Sequence, residues 1–121
     1  MRHRVDKKRL GSKKTNQRKA LLRSLVTSLV LFGTIKTTKS RGFELTRYFE
    51  KLVSSILNTE EKREKIKISK KVIFSESAQK IFLEKIVPSF TKKKSGFLKK
   101  VAIANRSGDN AAMVQLQILS D

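Results

Sequence analysis

Ten of the first 23 residues are Lys or Arg (Arg2, Arg4, Lys7, Lys8, Arg9, Lys13, Lys14, Arg18, Lys19 and Arg23), and only Asp6 opposes them, a local charge of +9. Like charges at this density repel, so the segment in isolation is expected to stay extended and solvated. It compacts when a polyanion neutralises the cations and releases its own condensed counterions. Residues 1–14 hold one apolar pair, Val5 and Leu10, with no helical stripe and a kink at Gly11-Ser12. They read as a basic arm, and nucleic acid is the first partner they imply.

The basicity does not end with the arm. The chain carries 29 Lys and Arg against 10 Asp and Glu, a net +19, so about half of the excess is spread over the rest of the molecule. Its 121 residues suit one domain over residues 15–121, and 38% hydrophobic content with seven Phe allows a modest core. There is no Cys and a single His, His3, which leaves no basis for disulfides, thiolate metal sites or an imidazole cluster. The start lacks the apolar core of a secretory signal. The longest greasy run, Leu29 to Phe32, falls far short of the roughly 20 residues of a membrane span. A soluble, cytosolic protein is expected. An Arg-rich start can imitate an organellar transit peptide, but Asp6, the dense Lys and the lack of a Ser-rich amphipathic stretch oppose that reading.

Beyond the arm, Thr15 and Asn16 offer N-cap side chains, and Leu21, Leu22, Leu25, Val26, Leu29 and Phe32 recur at the spacing of an amphipathic helix that Gly33 stops. Thr34 to Thr38 is rich in β-branched residues and predicts a strand. Leu45, Tyr48, Phe49, Leu52, Val53 and Ile56 mark a second helix, capped by Thr38 or Ser40 and ending at Asn58. Residues 60–71 alternate Glu and Lys around Ile66 and Ile68 and suit a short exposed helix or an ordered loop. Ser75 can cap a further helix bearing Ala78, Ile81, Phe82 and Ile86, which Pro88 should end by removing an amide donor.

The last third changes period. Val101 and Ile103 lie two apart, as do Val114, Leu116 and Ile118, which predicts two strands with one wet face each. Between them Asn105-Arg106-Ser107-Gly108-Asp109-Asn110 is dense in turn formers, so the strands should pair antiparallel across it. The predicted class is α+β, a two-layer α/β sandwich in which a small mixed three-stranded sheet is packed by helices on one face, preceded by the extended arm.

Each cationic cluster has a plain alternative, since a Lys-rich surface also keeps a protein in solution, and for Lys92 to Lys94 the two readings balance. Ten like charges against a single carboxylate are harder to explain that way. Arginines can fork two donors onto phosphate oxygens while lysines supply point charges. His3, between two arginines, could stack on a base or simply be solvated. Phe32, Tyr48, Phe49 and Phe82 fall on core stripes, which argues against single-strand stacking, and Phe97 can be either core or platform. Catalysis finds no footing: Ser and Thr have no base beyond His3, no Gly-rich loop cradles phosphate, and Glu60, Glu61 and Glu64 read as surface partners of neighbouring lysines.

Five short motifs stand in order: Met1-Arg2-His3-Arg4, Leu10-Gly11, Arg18-Lys19-Ala20-Leu21-Leu22, Ile35-Lys36-Thr37-Thr38 and Arg106-Ser107-Gly108-Asp109-Asn110-Ala111. Together they resemble the bacterial large-subunit ribosomal protein seventeen family nearly end to end. The resemblance implies a structural protein of the large ribosomal subunit that binds large-subunit ribosomal RNA near the peptide exit tunnel, beside neighbouring ribosomal proteins, with no cofactor, membrane or small-molecule substrate. By motif it assigns Arg2, His3, Arg4, Arg18, Thr37, Thr38, Arg106 and Asp109 to RNA contact or to fixing the shape of contacting loops. With the cationic clusters added, the expected RNA-binding set is Arg2, His3, Arg4, Lys7, Lys8, Arg9, Lys13, Lys14, Arg18, Arg23, Lys36, Thr37, Thr38, Lys39, Lys92, Lys93, Lys94, Lys99 and Arg106. The chain departs from the family at Ser12, Gln17 and Ser95-Gly96-Phe97-Leu98-Lys99, where Lys99 keeps a charge but not the fork and Phe97 keeps a ring but not the hydroxyl.

The alternative is a DNA-binding architectural protein. It lacks a helix whose polar face is free to enter a groove, because the apolar stripe of the first helix is committed to packing. A membrane-active segment is weaker still, since the cations of that helix cluster at one end instead of lining it.

Overall fold

The computed structural model describes residues 15–91 and 96–119. Helix α1 (Thr15–Phe32) is followed by strand β1 (Thr34–Thr38), helix α2 (Lys39–Leu57) and helix α3 (Lys62–Lys70). The third long helical stretch, after α1 and α2, begins as α4 (Glu76–Ile81), widens into a π turn over Phe82–Ile86 and closes as α5 (Val87–Ser89). Strands β2 (Leu98–Ile103) and β3 (Met113–Ile118) complete the chain. The predicted arm lies outside the described residues.

The core follows from the helical stripes. Leu22, Val26, Leu29 and Val30 of α1 meet Leu45, Phe49, Leu52, Val53 and Ile56 of α2, and Phe82 from the third stretch closes the cluster. Phe49 and Phe82 lie edge to face with centroids 6.1 Å apart. Phe97 is 1% exposed and sits 4.8 Å from Phe90, so it is a core residue and not a stacking platform. Phe32 corrects the sequence expectation in the other direction, since it is 76% exposed. At 100° per residue it lines up with Leu21 and Leu25 on the flank of α1, while Val30, one turn after Val26, takes the core position.

Gly33, at φ +77°, turns α1 into β1, and its amide donates to the Leu29 carbonyl at 2.7 Å. The left-handed conformation favours glycine here. Thr38 occupies the cap position of α2 without a side-chain bond, whereas Ser75 caps α4 by accepting from the Ala78 amide at 3.5 Å. Residues 62–70 are helical, and the Ser69 carbonyl ends them by accepting from the amides of Val72 and Ile73. Pro88 does not stop the third stretch. The wider π turn, in which the Val87 amide reaches the Phe82 carbonyl, spreads the backbone where the proline ring would otherwise meet the preceding turn.

The sheet has the order β1-β3-β2, and both pairings are antiparallel. It is therefore not mixed as expected. The turn after Ile103 brings β3 back beside β2, and β1 pairs with the far side of β3, so the two edge strands are parallel to each other but never adjacent. Helices cover the face that carries Ile35, Thr37, Val114, Leu116 and Leu98. Gly42 lets α2 approach it closely: a Cβ there would lie 2.5 Å from Cγ2 of Val114. Val101 and Ile103 also depart from expectation. Their partners are Gln115 and Met113, on the face turned away from the helices, so the apolar alternation of β2 points out of the core.

Candidate nucleic-acid interface

The uncovered face of the sheet is set by register. Three cross-strand rows run from β1 through β3 to β2: Thr34, Gln117 and Lys99; Lys36, Gln115 and Val101; Thr38, Met113 and Ile103. The face holds two lysines, two amides, two hydroxyls and three apolar side chains, with no carboxylate. Lys36, Lys99, Gln117 and Val101 are exposed, and the other five are half-buried. Neither lysine has an ion-pair partner among the described residues. Among the described residues the ion pairs are Glu64 with Lys67 and Arg106 with Asp109.

At the end of the sheet nearest the Met113 row, the loop joining β2 and β3 is shaped from within. The Arg106 Nε donates to Oδ1 of Asp109 at 3.1 Å and its Nη2 to Oδ2 at 2.5 Å, a forked pair. Asp109 Oδ1 also accepts from the Ala111 amide at 3.2 Å. The Arg106 amide donates to the Ala111 carbonyl, and the Asn110 amide to the Arg106 carbonyl, each at 2.9 Å. Gly108 and Asn110 take positive φ of 102° and 58° to close the turn. The Arg106 hydrogen bond, with help from the Ala111 amide, holds the Asp109 carboxyl down to about 2, well below the usual carboxylate range. Both residues are exposed, and the Arg106 guanidinium has further N–H donors beyond the two that Asp109 takes.

The nominated residues are distributed unevenly. Lys36, Thr38 and Lys99 share the open sheet face, and the exposed Lys39 follows it at the start of α2. Thr37 is 6% exposed on the helix side, close to Gly42, so it is a packing residue and not part of that face. Arg23 is half-buried, its guanidinium 5.3 Å from the ring centroid of Phe74, and its Nε is buried without a hydrogen-bond partner. Arg18 lies on the first turns of α1, half-buried. Arg2, His3, Arg4, Lys7, Lys8, Arg9, Lys13, Lys14, Lys92, Lys93 and Lys94 fall outside the described residues.

Sequence reasoning passed over one cationic group. Phe43 on α2 is approached by Arg47 at 5.8 Å and by Lys100 at 5.4 Å, so two cations from different elements share one ring. The spacing of Phe43 and Arg47, four apart on a helix, was available as a signal. That of Lys100 was not, because only the register shows that it faces α2 while Lys99 faces away. By contrast, the groove of about 1030 Å³ between α3 and the third helical stretch has an apolar floor including Leu57, Ile66 and Leu83, with both signs of charge on its rim. It is not a phosphate surface. No helix among the described residues is long and apolar enough to cross a membrane.

The model of the family described as ribosomal protein L17 matches residues 21–119. The chain belongs to the ribosomal protein L17 family. Among its relatives, the large ribosomal subunit protein bL17 of Gemmatimonas aurantiaca is 34% identical over 98% of both chains. That of Coprothermobacter proteolyticus is 34% identical over 92% of both. That of Metamycoplasma arthritidis is 36% identical over 80% of this chain and 84% of its own. The L17 model thus takes in every described strand and nearly all of the helical core.

Proposed function

We propose that this L17-family protein is a structural constituent of the large ribosomal subunit. Its basic arm and cationic surface bind large-subunit ribosomal RNA near the peptide exit tunnel, among neighbouring ribosomal proteins. It catalyses no reaction, and its place is the ribosome in the cytoplasm. The observation that carries this reading is family membership along almost the whole chain, with relatives named for the large ribosomal subunit. The charge supports it independently: +9 within 23 residues, and unpaired lysines on a sheet face without carboxylates.

Residues 1–14 act as an RNA-binding arm and residues 15–121 as the domain that sets where the arm starts. Contacts are mainly to phosphate, which position the protein without reading sequence. With about six to ten phosphates engaged, affinity for large-subunit RNA should fall by roughly three to five orders of magnitude between 50 and 200 mM salt. Filter binding across that range tests the reading, and a nearly flat response contradicts it. Sedimentation of cell extracts separates it from the DNA-binding alternative, because a nucleoid protein would travel away from the large subunit.

A further inference from the structure

Resting on the RNA-binding reading, we propose that the uncovered face of the sheet docks in the minor groove of an A-form RNA helix. Gln115 and Gln117 of the central strand meet 2′-hydroxyls, and Lys36 and Lys99 of the two edge strands meet phosphates on opposite sides of the groove. The argument begins with what the face lacks. It carries no carboxylate, so its lysines are uncompensated, and a polyanion is the complementary partner. Val101, at 43% exposure, with Ile103 and Met113 makes an apolar strip beside them. Such a strip in register with cations suits a surface that is both charged and rich in C–H groups, such as the ribose walls of a groove.

Dimensions narrow the choice of groove. Neighbouring strands lie about 4.8 Å apart, so the edge strands are separated by about 10 Å. That is too broad for the roughly 6 Å minor groove of B-DNA. The deep, narrow major groove of A-form RNA also excludes side chains, whereas its minor groove is wide and shallow and displays 2′-hydroxyls. The polar layout follows the same order, with cations outermost and amides in the centre. Each amide has both donors and an acceptor for a hydroxyl that is itself both. The Arg106 loop stands just beyond the Met113 row and extends the contact along the groove.

The test uses the full chain and a transcript of the large-subunit ribosomal RNA, read by hydroxyl-radical protection of riboses and by binding titrations at several salt concentrations. The wild-type protein should protect riboses on both strands of one helix. Gln115→Ala with Gln117→Ala should weaken binding about tenfold at an unchanged salt slope. Lys36→Gln with Lys99→Gln should lower the slope by about 2. Gln115→Glu, which keeps size and sets a charge against the groove, should erase the protections, and circular dichroism of each variant reports that the domain is folded. If the wild-type protein binds while every folded face variant binds and protects as it does, the docking surface lies elsewhere and the RNA-binding reading stands. If the variants keep their RNA affinity but lose a neighbouring protein from reconstituted subunits, the face is a protein interface and the proposal fails. If the wild-type protein itself does not bind the transcript, the broader reading fails first.

Discussion

Gly42 is the residue on which the two layers depend. Its missing side chain lets α2 rest on β3, and an added methyl would sit 2.5 Å from a methyl of Val114, a stiff β-branched side chain that is 5% exposed. Gly42→Ala gains helix propensity but should still destabilise the fold by about 1–3 kcal/mol through overpacking. Val114→Ala in the same chain should recover part of that loss, a coupling that denaturant titration of the four proteins would measure. Asp109 offers a second test at this scale. Its carboxyl is held down to about 2 mainly by the Arg106 hydrogen bond, so the loop's added stability is fully present above the ordinary carboxylate pKa and is lost as pH falls through about 2. Arg106→Ala should raise the Asp109 midpoint toward about 4, read by carboxyl carbon NMR. The Arg106-to-Asp109 turn was legible in sequence because its chemistry is local. The need for glycine at position 42 was not, since it comes from a strand far along the chain.

Among the elements, α1 shows how periodicity can be right while its edge is wrong. The stripe from Leu21 to Phe32 predicts the helix, yet the helix outlasts the surface it covers, and Phe32 ends 76% exposed where the chain turns at Gly33. Phe32→Ser should therefore change stability by less than about 0.5 kcal/mol, whereas Leu29→Ala, at a fully buried site, should cost about 2–5 kcal/mol. Thermal melting of the two variants separates the positions. Strand β2 is a harder case: Val101 and Ile103 alternate as a buried strand should, but the alternation only says that they share a face and not which one. Pairing with Gln115 and Met113 decides it, and pairing is a property of the fold. The same limit explains why Lys36 and Lys99 could be nominated for charge alone and only the register shows them on one surface. Pro88 signals a stop only to an α-helical backbone, and the π turn before it removes the conflict.

At the scale of the molecule, positive charge is divided between a terminal segment and a folded body whose open sheet face is free of carboxylates. Deleting residues 1–14 should leave the melting temperature of the remainder within a few degrees of the intact chain while sharply reducing its affinity for ribosomal RNA. A large fall in melting temperature would mean that the segment is part of the fold. The order of elements carries a separate consequence. The central strand β3 is the last described element, so β1 and β2 leave the synthesising ribosome with no partner on either side, and the three strands can join only once translation has passed Met113. A nascent chain released early would expose unpaired strand edges, the usual starting point for self-association. Synthesis of β3 thus acts as a checkpoint, because only a chain extended past that central strand can assemble the platform that its neighbours would receive.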